Sequence, residues 1–123
     1  MHKCSSYWPK QLCAKPVGRQ LWRFADVALH WDQLILRAWA VIDGQRVLYQ
    51  EGSLALIRHP LDLIRGYTAD NPMLPTGTVM FCGTLTAIGG VRPTDRLEVE
   101  LEDPVLERKI KHAYEVKALP LVS

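Results

Sequence analysis

Long apolar runs are missing from this chain. Runs such as Leu34 to Leu36 and Leu54 to Ile57 fall far short of the roughly 20 residues a membrane helix needs, and the first residues lack the apolar stretch of a signal peptide. No membrane partner and a cytoplasmic location are therefore expected. Cysteine is scarce as well. Cys4, Cys13 and Cys82 are odd in number and widely separated, which excludes a disulfide framework and a Cys-x-x-Cys zinc knuckle and leaves reduced thiols. Cys82, between Phe81 and Gly83, reads as a small core residue. Charge of one sign is not in excess: fifteen Lys and Arg stand against thirteen Asp and Glu, a net charge of +2 with the basic residues scattered, so a nucleic-acid partner is excluded. The glycines at 83, 89 and 90 do not have dinucleotide-site spacing, and P-loop, Gly-x-Ser-x-Gly and His-Glu-x-x-His patterns are all lacking.

What the chain does contain is the composition of an ordinary globular domain, with 48% hydrophobic and 23% charged residues and no low-complexity tract. At 123 residues it is long enough for a single domain, 1–123, with its own core. Residues 1–20 read as an irregular N-terminal segment because Pro9 and Pro16 remove backbone donors and Gly18 relaxes the chain. From Leu34 to Ile42 the chain is apolar except for Arg37; Asp43-Gly44 and a second run, Gln45 to Gln50, complete a hairpin signal, since Asp-Gly supplies the positive φ angles of a tight type I′ turn.

Ser53 is a possible cap for a short helical stretch, but Pro60 is the better helix opening, with Leu61, Leu63 and Ile64 on the buried side and an end expected by Gly66. Residues 70–78, with Pro72, Pro75 and Gly77, form a loop leading to an expected strand, Val79 to Cys82, and a Gly83-Thr84 step. In RLEVELED, Leu97, Val99 and Leu101 alternate with Glu98, Glu100 and Glu102 at the period of a half-buried strand, one face core and the other water. After Asp103-Pro104, Ile110, His112, Tyr114 and Val116 share one face of a further strand and Lys109, Lys111, Glu115 and Lys117 the other, so a hairpin sets glutamates opposite lysines. Five or six strands with one short helix make the chain mainly β.

Candidate chemistry is sparse. Glu98, Glu100 and Glu102 point the same way on a strand, as carboxylate ligands of a hard cation would, but their clean alternation fits a solvated face paired with lysines better. His30-Trp31-Asp32 sets an imidazole beside a carboxylate in sequence; neighbouring side chains diverge, however, so a helix or turn with Trp31 in the core is the simpler reading. His59 and His112 read as packed, hydrogen-bonded residues.

Residues 74–90, LPTGTVMFCGTLTAIGG, resemble the loop, strand and Gly-Thr turn near the C-terminus of fumarylacetoacetate hydrolase-like enzymes. Residues 10–120 also resemble an uncharacterised bacterial branch of that superfamily through KQLCAKPVG, WRFADVALHWDQL, YQEGSLALI, LEDPVLERKI and HAYEVKALP. The resemblance implies a partial rolled or mixed β-sheet fold with one short helix, the C-terminal portion of a larger catalytic fold that forms homo-oligomers. It implies that full-length relatives use Mg, Mn or Ca to polarise a small oxo-acid substrate for carbon-carbon hydrolysis, decarboxylation or isomerisation. By position Lys10, with Lys15 as a rival, matches the lysine that holds the substrate's charged end, and Gly83 with Thr84 matches the turn that receives its carboxylate. The family's metal carboxylates should precede Lys10, where no acidic residue stands, so no metal site and no cofactor is assigned to this chain. The expectations are therefore a partial enzyme completed by an N-terminal half or, alternatively, a non-enzymatic β-rich dimerisation or interaction module.

Overall fold

The computed structural model describes residues 16–69, 71 and 73–117. Strand β1, Ile35–Ile42, turns back on β2, Gln45–Ser53, through Asp43 at φ 51° and Gly44 at φ 80°, the two left-handed positions that Asp-Gly was expected to supply. Strand β3, Arg96–Asp103, lies antiparallel to β1 and forms a second hairpin with β4, Arg108–Glu115. The sheet runs β2-β1-β3-β4, and among the described strands it is open at both sides. The mainly β expectation holds, and the described residues form four strands where five or six were expected.

The β1–β2 ladder is interrupted once. Ala38 faces Gln50 and Trp39 faces Leu48, leaving Tyr49 as the extra residue of a bulge. Its carbonyl accepts from the Ile88 N–H at 2.7 Å, and its hydroxyl accepts from the Arg92 N–H at 3.2 Å. The Arg92 guanidinium lies 5.5 Å from the Tyr49 ring centroid. The segment leading into β3 is thus moored along the outer side of β2. Leu85 approaches β2 so closely that a Cβ on Gly52 would lie 3.2 Å from its Cδ1 and 3.0 Å from that of Leu56, so a larger residue there would press on both leucine side chains.

The described residues also form two short α-helices: α1, Phe24–Val27, which continues into a 3-10 turn over Ala28–Gln33, and α2, Pro60–Thr68. His59 caps α2, its Nδ1 accepting from the Leu61 N–H at 3.1 Å, and Pro60 occupies the first turn where no donor is needed. The helix passes Gly66, where it was expected to end, because the Thr68 hydroxyl donates back to the Ile64 carbonyl at 2.8 Å and the left-handed turn comes only at Ala69, φ 55°. Ser53 caps as well, accepting from the Ala55 N–H at 2.9 Å over a 3-10 turn, Leu54–Leu56. The expected strand Val79 to Cys82 does not form: these residues are irregular, and Val79 and Phe81 are exposed. Among the described helices none is long and apolar enough to cross a membrane.

The core sits where α1, its 3-10 extension and the Leu54 turn meet one sheet face. Val27, Leu34 and Leu54 are buried, with Trp22, Trp31, Leu36, Ile57 and Leu101 packed against them. Leu34 is fully enclosed, a burial that contributes roughly 1.5–3 kcal/mol. Phe24, Trp31 and His59 form an aromatic triangle with ring centroids 5.6 to 6.0 Å apart.

The opposite sheet face is an ion-pair layer. Arg37 reaches Glu51 at 2.7 Å, Glu100 at 3.0 Å and Glu102 at 2.6 Å. Arg46 reaches Glu98 at 2.9 Å while its guanidinium covers the Trp39 ring at 4.2 Å. The register does set Glu100 opposite Lys111 and Glu102 opposite Lys109. Both lysine ammoniums approach Glu100 only to 3.9 Å, however, and the closer partners are arginines from β1 and β2. Nor is the whole face solvated: Glu100 retains 6% of its exposure. The hydrogen bond from Arg37 holds the Glu102 carboxyl below its ordinary range, and that from Arg46 does the same for Glu98.

Candidate functional site

Along the apolar sheet face the described residues leave a groove of about 740 Å³. Its floor is Val99 and Leu101 of β3 with Ile110, His112 and Tyr114 of β4, the alternate residues that the period-2 pattern assigns to one face. Trp22, Phe24 and Trp31 from the α1 region line it as well, and Phe81 reaches it from the irregular segment before β3. No Lys or Arg is among these described lining residues. His112 and Tyr114, with ring centroids 6.0 Å apart, bring polar atoms to the floor. Burial pushes the Tyr114 phenol up, so it stays neutral and can donate a hydrogen bond at ordinary pH.

One buried carboxylate ties the α1 region to the β3–β4 hairpin. Asp103 is fully enclosed and accepts from the Val105 N–H at 3.0 Å and the Leu106 N–H at 3.1 Å, which fixes the turn after β3. His30 Nε2 lies 3.0 Å from the same carboxylate, and Arg108 Nε donates to it at 3.3 Å. The Arg108 guanidinium then stacks 4.5 Å over the Trp22 ring. Burial would raise the Asp103 pKa, but the hydrogen bonds from His30, Leu106 N–H and Arg108 outweigh it and hold the carboxyl below its ordinary value. Ionised Asp103 makes His30 Nε2 the proton-bearing nitrogen. Two buried donors, Trp31 Nε1 and Arg108 Nη2, have no hydrogen-bond partner among the described residues.

Chemically the groove offers aromatic faces, a phenol and an imidazole. The residues singled out from the sequence lie elsewhere. Lys10, and Lys15 with it, fall outside the described residues. Gly83, at φ 120°, and Thr84 are exposed beside the outer edge of β2, where the Thr84 hydroxyl accepts from Gln50 Nε2 at 2.9 Å; neither lines the groove. Among the described residues no three His, Cys, Asp or Glu side chains are grouped to hold a metal ion. Cys82 is partly buried, which pushes its thiol pKa up, and it stands in irregular chain, not on a strand. His30 does find a carboxylate, though it is Asp103 and not its neighbour Asp32. The only sequence signal for that pair was Asp103-Pro104, read as a turn.

No curated protein and no solved structure matches the chain. The resemblance to fumarylacetoacetate hydrolase-like enzymes is corrected by the family match, which is to a family of unknown function and links the chain to no such superfamily. The sheet is open and four-stranded, and the structure gives that resemblance no independent support. Residues 1–114 match the family described as "Protein of unknown function (DUF2848)", and the chain belongs to that family.

Proposed function

We propose that this chain is a binding module for a flat, largely apolar, uncharged organic molecule, held in the groove over β3 and β4. The observation that carries the reading is the groove itself: about 740 Å³, walled by aromatic rings, with a few polar atoms on its floor. Ligand sites are commonly concave and apolar at roughly 300–1,000 Å³, with a small number of polar groups to fix orientation. Trp22, Phe24 and Trp31 offer ring faces to a planar body, and His112 and Tyr114 offer hydrogen bonds to one polar end. A carboxylate fits poorly against the described lining, where no lysine or arginine offsets the cost of desolvating it. The oxo-acid and divalent-metal expectation has no support apart from the resemblance corrected above.

Titration calorimetry with 2-naphthol and with 2-naphthoate tests the proposal. A single saturable site for 2-naphthol, at least about tenfold tighter than for 2-naphthoate, is expected, and Val99→Phe, which fills the floor, should abolish it while leaving the melting temperature nearly unchanged. Equal binding of the two compounds, or unaltered binding by Val99→Phe, refutes it. An interaction module is the second reading, favoured by Met73, Val79, Phe81 and Val91, which are 66% to 80% exposed along the segment before β3.

A further inference from the structure

Among the described strands nothing pairs with the outer side of β4, so its N–H and C=O groups on that side are an open template for another strand. Lysines usually guard such an edge, and Lys109 and Lys111 are exposed here. The same strand also carries Glu115, whose side chain is 74% exposed although it touches Arg96 at 2.6 Å.

The order of these charges selects a partner. When two copies of one strand pair antiparallel about a two-fold axis, each residue meets the one equally far beyond the axis, and residues directly opposite point to the same face. Placing the axis at Ile110 sets Lys109 against Lys111, and at Lys111 it sets that lysine against itself. An axis at Ala113 pairs Lys111 with Glu115 but sets Lys109 against Lys117, two residues past the end of β4, and one at Tyr114 sets Lys111 against the same Lys117. Of these five axes only that at His112 removes every such clash: Lys109 then meets Glu115, Lys111 meets Ala113 and Ile110 meets Tyr114, all within β4.

We propose that the outer edge of β4 is a homodimer interface in which two copies pair antiparallel about His112, joining two four-stranded sheets into one. On the charged face two Lys109–Glu115 contacts close the seam, and on the apolar face Ile110, His112 and Tyr114 of each copy lie side by side, so the two grooves become neighbours. The interface does not depend on what the grooves bind.

Sedimentation velocity over a concentration series tests this with three proteins and one mixture. The wild-type chain is expected to dimerise, and Lys109→Glu and Glu115→Lys each to weaken the dimer roughly tenfold or more, because like charges then stand opposite at two places. An equimolar mixture of the two variants should recover wild-type association, since each of the two contacts then again joins one acidic and one basic side chain. That recovery separates pairing across the interface from any loss of the contacts each side chain makes within its own sheet. A wild-type chain that stays monomeric at every concentration overturns the proposal, as does a mixture no tighter than its components. Should either charge variant fail to fold, His112→Cys with the three native cysteines replaced by serine decides the matter. A short bis-methanethiosulfonate reagent must link two copies at position 112, and must not do so for Ile110→Cys, whose two copies would lie roughly 13 Å apart along the strands. No link at 112, or an equal one at 110, overturns the register.

Discussion

The charged and apolar faces of the sheet share the same four strands, yet one is closed by its own side chains and the other by separate segments of chain. On the charged face Arg37 alone gathers Glu51, Glu100 and Glu102, and Arg46 and Arg96 divide Glu98 between them. On the apolar face the cover among the described residues comes from the α1 region and the Leu54 turn, packed against Leu36 and Leu101. Period-2 patterning therefore tells which face seeks burial and leaves open how far the chain supplies it.

The largest effect is expected from Asp103→Ala, which cuts the tie between the apolar cover and the sheet. It removes the acceptor for His30, Arg108 and two backbone N–H groups at once, leaving donors unpaired in a buried place. A drop in melting temperature of about 10 °C or more is expected by calorimetry or circular dichroism. Near-UV circular dichroism should show Trp22 and Trp31 losing their fixed surroundings. A drop of only a degree or two shows that the cover holds without the tie.

Acid sharpens the comparison, because the carboxylates of the ion-pair layer and of the Asp103 tie titrate and the aliphatic and indole side chains of the apolar cover do not. Asp103, Glu98 and Glu102 all have folded pKa values below their ordinary ones, 3.8 for Asp and 4.5 for Glu. A lowered folded value means that the unfolded chain binds protons first, so the stabilisation is complete above the ordinary values and is lost as pH falls through the folded ones. Urea midpoints measured from pH 7 to pH 2 should be flat down to about pH 5 and then fall. Arg37→Gln should flatten the Glu102 part of that fall. A midpoint that rises on acidification contradicts the assigned pairs.

The smallest effect belongs to Thr84→Val, which touches neither face. Its hydroxyl accepts one bond from Gln50 at an exposed position, so a loss of no more than about 1 kcal/mol is expected in urea unfolding. The calorimetric signal of 2-naphthol in the groove should be unchanged. A large loss of that signal instead places the outer side of β2 within the binding site.

What was legible in the sequence was local. Asp43-Gly44 fixes its turn through two backbone angles, and Leu97 to Glu102 declares two faces by alternation alone, so both hairpins were readable. Val79 to Cys82 has the apolar character of a strand, but a strand also needs a ladder. The Ile88 N–H and the Gln50 bonds to Thr84 and Leu85 show that the chain touches the side of β2 only after residue 82. The groove was half legible, since the shared face of Ile110, His112 and Tyr114 was read correctly and its aromatic walls were not. The His30–Asp103 pair was invisible because its members are 73 residues apart and meet only once the core has formed.

The bulge at Tyr49 acts as a change of phase in the strand. Arg46 and Glu51 are separated by an odd number of positions, so on a regular strand they would project to opposite sides of the sheet. Inserting one residue between them reverses the count, and both arrive in the same layer, Arg46 over Trp39 and against Glu98, Glu51 against Arg37. A single unpaired residue thereby completes the charge balance of a whole face, and its ring, released from the ladder, becomes the post to which Arg92 is tied.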